Sequence, residues 1–471
     1  MKQEKILTPY LAAFALALSF AVFAGCGSSG GDNNNNGDGD SENEAETTGP
    51  DSIVPHKEKV GKFLVVYLKG TPYEMGKQQG TLLHDELVLA MQYINDDPLL
   101  GSMVGVARKK GIVDLAYSMS YEDVKEECRG LVETAGDAGL DMDSCLILNF
   151  GDILMEFITD GMPEAEAAPI LKRLQPGCSE VAVSGPATKD GKLYHGRILD
   201  WDKIQYILDY PTIFVRIPDG GIPHAFIGFP ANLSPYSGIN AEGLSIASNE
   251  VHAPAATADV VPEHDLKGRS HVQMLAQILK TCKNMDEAKA FVRAQDHMTM
   301  ELFMIADGNN KQAGVFEMTS KSLGIRELAE GVVWATNHFL APETIGKDKQ
   351  PIKEANLLRY DRFAELVSKD GKDTHYGQFD GETLISVMRD RKNPYTGEIS
   401  SLTEFDNALS IATYGSLFAI VFEPAGLNFW VAAGTIPVPQ QEYVGFNLGK
   451  LLNIKGATDP APATYPAYSG Q

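Results

Sequence analysis

The stretch "GCSEVAVSGPATKDGKLYHGRILDWD", Gly177 to Asp202, decides how this chain folds. A cysteine stands directly after a glycine and opens an apolar run that reads as a strand. Pro186 and the Asp190-Gly191 pair mark a turn, and "KLYHGRILDW" reads as the returning strand. Cys178 has a bland reading, because a free cysteine often serves as a small buried hydrophobe. It also has a chemical one. Gly177 has no side chain to shield its carbonyl from the neighbouring thiol, and it allows the backbone angles such an attack needs. If the resulting ester hydrolyses, the new chain begins at Cys178. Its α-amine, with an ordinary pKa of about 8, lies beside its own thiol and can act as the base that activates it. No separate histidine is then required.

The register of this hairpin decides whether Asp200 can meet Cys178. A two-residue turn at Asp190-Gly191 sets Cys178 opposite Lys203 and Asp200 opposite Val181, about 10 Å along the strand. A wider loop from Gly185 to Gly191 pairs Ser184 with Lys192 and brings Cys178 opposite Ile198, two positions from Asp200. Pro186 cannot donate to a ladder and favours the wider loop.

Around this hairpin the texture changes. Upstream, Phe63 to Lys69 reads as a strand, and helical periodicity covers about Pro72 to Ile94, Tyr121 to Ala135 and Asp143 to Phe157. A Pro- and Ala-rich connector runs from Pro163 to Pro176. Downstream, "YPTIFVRIP", "HAFIGFP" and "GLSIASNEV" read as strands, followed by helices at His271 to Thr281 and Met285 to Ala294. A hairpin turns at Asp307 to Asn310, helices return at Lys353 to Val367 and Gly381 to Asp390, and "SLFAIVFEP" and "LNFWVAAG" are the closing strands. Strand blocks separated by paired helices predict α+β layers, not a parallel βαβ sheet.

The chain has 471 residues and a formal net charge of -23, which disfavours nucleic acid as a partner. Residues 1–26 read as an export signal: Lys2 and Lys5, an apolar run from Ile6 to Phe23, then "FAGC". That ending resembles a bacterial lipobox, which makes Cys26 the lipidated residue and the protein a membrane-anchored lipoprotein facing the periplasm or the cell exterior. An ordinary secretory signal and an uncleaved anchor are the alternatives. Gly27 in place of an aspartate leans towards the outer membrane of a two-membrane cell. Residues 27–56 are acidic and rich in Gly and Asn, with no Lys or Arg before Lys57, and read as a disordered linker. Asp32, Asn34, Asn36, Gly37, Asp38 and Asp40 imitate a calcium loop, but its twelfth position is Asn43, and the linker reading prevails. Of five cysteines, Cys128, Cys145 and Cys282 remain after Cys26 and Cys178. One disulfide among them leaves one thiol free, and spacing does not choose the pair.

The segment Gly177 to Asp202 resembles the nucleophile hairpin of the N-terminal-nucleophile (Ntn) hydrolases, in the isopenicillin-N acyltransferase-like branch related to choloylglycine hydrolase and acid ceramidase. The family's "GRNLDW"-like strand is here Gly196-Arg197-Ile198-Leu199-Asp200-Trp201, with Ile198 replacing the usual asparagine. "GTPYEMGKQQG" (Gly70 to Gly80) is similar to the family's propeptide opening, "GINAEGLSIASNEV" (Gly238 to Val251) to its oxyanion segment, "ATNHFL" (Ala335 to Leu340) to its Asn-bearing strand and "LLRYDRFAEL" to its Arg-bearing helix. The resemblance implies a four-layer αββα sandwich preceded by a mostly helical propeptide over 57–177, a catalytic part over 178–455 and a Pro/Ala-rich tail over 456–471. It implies Cys178 as nucleophile, with autocleavage between Gly177 and Cys178. Asp200 would hold the new amine and Arg197 would favour the thiolate. Asn249 would donate to the oxyanion, Asn337 would orient substrate or amine, and Arg359 would support the site. Arg362, one turn on, rivals Arg359. His338 is a candidate site-lining residue, and His195 reads as packing.

No metal or nucleotide cofactor is implied. The expected partner is a small acyl-amide substrate, cleaved through a thioester, with transfer to an amine acceptor as the alternative outcome. A third reading is a binding lipoprotein on an inactive scaffold. There is no GxSxG elbow, HExxH, Walker loop or GxGxxG after a strand to support other chemistries.

Overall fold

A computed structural model describes residues 48–151, 177–201, 204–254, 260–265, 267–298, 300–402 and 410–470. The export signal, Cys26, residues 27–47 of the linker with its calcium-like loop and the connector before Gly177 lie outside these residues, as does the helical reading beyond residue 151. The end of the linker is ordered, against expectation. Pro50–Ser52 forms a 3-10 turn, the Gly49 N–H donates to the Asn453 carbonyl at 2.7 Å, and Ile53 is buried in the core, so this acidic stretch is pinned where it reaches an apolar side chain.

Two sheets form the frame. The first has nine strands, in spatial order His56–Val60 (β1), Phe63–Gly70 (β2), Thr212–Pro218 (β5), His224–Gly228 (β6), Ser237–Asn240 (β7), Leu244–Glu250 (β8), Glu301–Asp307 (β9), Gln312–Met318 (β10) and Leu323–Glu327 (β11). The second has seven: Val332–Ala335 (β12), Ser179–Val183 (β3), Tyr194–Asp200 (β4), Ser416–Glu423 (β13), Asn428–Ala433 (β14), Tyr443–Asn447 (β15) and Thr464–Tyr465 (β16). Helices cover the outer faces. Helices of the segment before Cys178 pack on Val66, Leu68, Phe214 and Phe226, while His271–Thr281 and Met285–Arg293 pack on Leu244, Ile246 and Phe303. Helices Glu354–Val367 and Gly381–Met388 cover the second sheet. The four layers are therefore α, β, β and α, as expected.

Several details differ from the sequence reading. The segment before Cys178 is helical but contributes β1 and β2, and β2 pairs in parallel with β5 inside the sheet; among the described residues every other ladder is antiparallel. Pro98–Lys109 and Ile112–Met119 are helices that the periodicity did not mark. Two strands, β15 and β16, follow the pair expected to be last. Tyr465 of β16 is buried against Trp430, whose indole donates to the Pro462 carbonyl at 2.9 Å. A disulfide joins Cys128 to Cys145, and Cys282 is a free, buried thiol.

The upstream segment is fastened to the body by more than β2. Thr71 caps the helix Pro72–Leu82 in a reciprocal box with Glu74, and that helix carries buried Gln79, whose amide donates to the Pro230 carbonyl at 2.8 Å. On the helix Glu122–Ala135, Glu127 pairs with Arg216 of β5 at 2.6 Å, both side chains almost fully enclosed.

Candidate active site

The hairpin β3–β4 carries the site. Its register is Ser179 opposite Ile198 and Val183 opposite Tyr194, one residue away from the wider-loop expectation of Cys178 opposite Ile198. A 3-10 turn at Gly185–Ala187, with Pro186 inside it, absorbs the difference. Alternation then sorts the side chains. Glu180 and Ala182 of β3, like His195, Arg197 and Leu199 of β4, face the first sheet. Val181 and Ile198 face the helices behind the second.

Cys178 is buried just ahead of β3. Its Sγ is 3.7 Å from Arg197 Nη2, and it donates at the same distance to the Asp200 carbonyl. Arg197 is fully buried, donates also to the Ser248 carbonyl, and holds its guanidinium 5.4 Å from the centre of the Phe418 ring. A guanidinium at this place favours the thiolate over the thiol.

Asp200 sits at the end of β4, with Oδ1 accepting from the Ser416 hydroxyl. A Cβ on Gly177 would lie 3.1 Å from Asp200 Oδ2, a tight approach that places the carboxylate beside the residue before Cys178. Burial raises the Asp200 pKa, opposed by hydroxyl hydrogen bonds from Ser416 and Thr413 and by the charges of Arg359 and Arg197.

Arg359 reaches the hairpin from behind, from the helix Glu354–Val367. Its Nη1 donates to the Cys178 carbonyl and to Ser179 Oγ (2.9 Å); its Nη2 donates to Asn337 Oδ1 and Asn356 Oδ1, each at 2.9 Å. Burial lowers the Arg359 pKa, while Asp200 and Cys178 raise it. Asn337 is fixed in turn by its Nδ2, which donates to the Glu250 carbonyl at 2.9 Å. Asn249 lies on β8 across the inter-sheet layer, buried, with its amide between the Thr336 carbonyl and Glu180.

The structure thus gathers Cys178, Gly177, Arg197, Asp200, Arg359 and Asn337 through direct contacts, and brings Asn249 against the same strand. Arg362 is not a member: it is buried too, but its guanidinium is taken up by Glu365, Asp373 and Asp390. His338 turns to Thr336 Oγ1 at 3.0 Å and to the Tyr360 ring, and burial lowers its pKa to about 4. His195 bonds Ser245 across the sheets at 2.9 Å, and burial lowers its pKa to about 3. Sequence reasoning missed Glu180. The available signal was a carboxylate two residues after the cysteine in an otherwise apolar strand.

Beyond the end of β4 lies a mostly apolar cavity of about 450 Å³. Leu199, Trp201 and Phe418 wall it on the site side, and Met91, Ile94 and Val104 on the helical side. Phe418 belongs to both the cavity and the Arg197 contact.

Residues 188–435, over half of the chain, match the family acyl-coenzyme A:6-aminopenicillanic acid acyl-transferase. The chain belongs to this family. The matched range holds Arg197, Asp200, Asn249, Asn337 and Arg359 and begins ten residues after Cys178. An uncharacterized protein from Archaeoglobus fulgidus is 23% identical over 420 residues, which span 80% of this chain and 65% of that protein. Partial likeness extends to solved structures. A Caenorhabditis elegans ortholog of N-acylethanolamine-hydrolyzing acid amidase has TM-score 0.36 and 14% identity, over 52% of this chain and 93% of its own. Penicillin V acylase from Agrobacterium tumefaciens has TM-score 0.36 and 13% identity, over 59% and 88%. A mutant conjugated bile acid hydrolase from Clostridium perfringens has TM-score 0.30 and 13% identity, over 61% and 96%.

Proposed function

We propose that this family member is a cysteine Ntn amidohydrolase that cleaves itself between Gly177 and Cys178 and then hydrolyses non-peptide acyl amides. One observation carries the reading: the Cys178 thiol lies between Arg197 and the Asp200 carbonyl, with the Asp200 carboxylate beside Gly177. In maturation, Sγ bonds to the Gly177 carbonyl carbon and the C–N bond to Cys178 breaks. The thiol proton passes to that nitrogen, and water hydrolyses the thioester. The freed amine then lies beside Asp200. In turnover the amine takes the thiol proton, Sγ attacks the substrate carbonyl, the amine returns the proton to the leaving nitrogen as the C–N bond breaks, and water then hydrolyses the thioester to free the acid and restore the thiol. Arg197 stabilises the thiolate, Asn249 donates to the oxyanion, and Arg359 with Asn337 holds the nucleophile's backbone.

The cavity supports an apolar acyl group, with Phe418 and Trp201 along it. Interception of the thioester by an amine instead of water is a second reading, favoured by the transfer reaction in the family's name; product partition with added amine separates the two. In the same reading the chain is exported and held by lipid on Cys26. That part is tested by radiolabelled palmitate, which should mark the wild type and not Cys26→Ser.

The central test is Cys178→Ala. The wild type should run as two fragments on a denaturing gel, the second starting with Cys178 by Edman sequencing, and should turn over members of an N-acyl amine panel. Cys178→Ala should stay in one piece with turnover reduced at least about 10⁴-fold. Active material in which Cys178 is still joined to Gly177 defeats the reading.

A further inference from the structure

Glu180 has no role in the chemistry described so far, and its position is costly. It is fully buried, stands on the same face of β3 as the inter-sheet polar groups, and is the cross-strand neighbour of Arg197. One of its carboxyl oxygens, Oε2, has no hydrogen-bond partner. The other, Oε1, is 2.8 Å from the near end of the Asn249 side-chain amide, which also lies 3.0 Å from the Ser248 carbonyl. The far end of that amide is 3.4 Å from the Thr336 carbonyl.

An amide has one donor end and one acceptor end, so only two arrangements exist. With its nitrogen near Glu180, Asn249 spends both N–H groups on Glu180 and the Ser248 carbonyl. With its nitrogen at the far end, its carbonyl oxygen faces Oε1, and two oxygens at 2.8 Å need a proton between them. The Ser248 carbonyl favours the first arrangement, although Arg197 Nη2 already donates to that carbonyl. A proton on Glu180 is what makes the second accessible, and only the second leaves an amide N–H uncommitted to Glu180 and Ser248.

We propose that Glu180 is a positioning residue whose proton sets the orientation of the Asn249 amide and thereby decides whether that amide can serve an oxyanion. The inference rests on the proposed oxyanion role of Asn249. Burial raises the Glu180 pKa to about 8, opposed by the Arg197 charge and the Met304 backbone N–H, so the proton is present at neutral pH. The groups facing Glu180 are few. Among the described residues, Arg197 on β4 is charged, and the Cys178 thiol, two residues earlier in the chain and 3.7 Å from the same guanidinium, is titratable; His195, two residues along, is neutral; Asn249 on β8 and the Met304 backbone on β9 are uncharged; and its β12 neighbour is Ala335.

The sign follows directly. Glu180 is protonated below its raised pKa, and as pH climbs past about 8 it ionises, draws the amide nitrogen to itself and removes the oxyanion donor. The wild-type kcat should therefore fall on the alkaline side. Glu180→Gln, which can donate from its own amide at any pH, should keep kcat within about threefold of wild type at pH 6.5 and lose the alkaline fall. Two measurements need no turnover. Infrared difference spectra between wild type and Glu180→Gln should show a protonated-carboxyl band at pH 6.5 that vanishes by pH 9.5. The side-chain amide NMR signals of Asn249, assigned by their loss in Asn249→Asp, should move with the same midpoint. An alkaline limb unchanged in Glu180→Gln overturns the proposal, as does an absent carboxyl band or an Asn249 signal that ignores it. If both spectra titrate together and no acyl amide is turned over, the orientation switch stands and the enzyme reading falls.

Discussion

Arg359 and Arg362 lie one turn apart on a single helix, and both are buried, yet they live in opposite electrostatic surroundings. Arg362 is wrapped in carboxylates: Asp390 accepts from both its Nε and Nη2, and Glu365 and Asp373 take its Nη1. These hold its pKa above the usual value against the desolvation of its burial. Arg359 bonds only neutral oxygens, from two asparagine amides, a serine hydroxyl and the Cys178 carbonyl, and burial pulls its pKa down. A neutralised cation serves as a fastener. One left without a hydrogen-bonded carboxylate keeps its field for the groups nearby, which here are Cys178 and Asp200.

The sharpest way to break this contrast is to remove each charge in turn. Arg359→Met takes away the donors to the Cys178 carbonyl and Ser179, and should reduce kcat/KM about 100-fold or more and slow self-cleavage. Arg362→Met leaves Glu365, Asp373 and Asp390 without their shared cation. It should lower the melting temperature by several degrees with kcat/KM within about threefold of wild type. Steady-state kinetics, a time course on a denaturing gel and calorimetry on both variants read the result. Equal catalytic losses would erase the distinction.

The same contrast shows what the sequence exposed and what it hid. The hairpin was legible because a glycine–cysteine step, a turn signal and a return strand are all local. So were the strand carrying Asn249 and the long helix, whose boundary at Val367 matches the periodicity. The choice between Arg359 and Arg362 was not local. Both fall on the inner side of one helix, and only the distant carboxylates of Asp373 and Asp390 separate them. Glu180 was hidden for a related reason, since its partner Asn249 arrives from the other sheet. The register slipped by one residue because the turn at Gly185–Ala187 coils instead of following either of the two loops considered. The parallel ladder between β2 and β5 joins strands far apart in sequence, a pairing that strand patterns do not encode.

An intermediate test gives Arg359 a carboxylate like those of its neighbour. Asn356→Asp puts a negative charge on the atom that now accepts from Arg359 Nη2, and it loses the bond from Asn356 Nδ2 to the Asn337 carbonyl. The added charge should weaken the positive field at the thiol, raise the midpoint of its alkylation by iodoacetamide and lower kcat/KM about tenfold. Asn356→Ala loses the same bond without adding charge and separates the two effects. An alkylation midpoint unmoved in the aspartate variant would mean that Arg359 acts by hydrogen bonding alone.

The smallest effect belongs to the outer network. Asp373 accepts from Lys392 and Arg362, and these bonds hold its pKa down to about 2, against an ordinary value of 3.8. A carboxylate depressed in the folded state stabilises above its unfolded pKa, and that contribution disappears as pH falls through the folded value. Because the Asp373 side chain is 31% exposed, water and salt screen most of the gain, and roughly 1 kcal/mol or less is expected. Asp373→Asn should therefore melt slightly below wild type at pH 7, with the gap closing between about pH 4 and pH 2 and narrowing in high salt. Its kcat should match wild type, since Asp373 touches Arg362 and Lys392, not the groups around Cys178. A catalytic defect in this variant would show that the two arginines communicate along their shared helix, and that the fastener and the field source are one device.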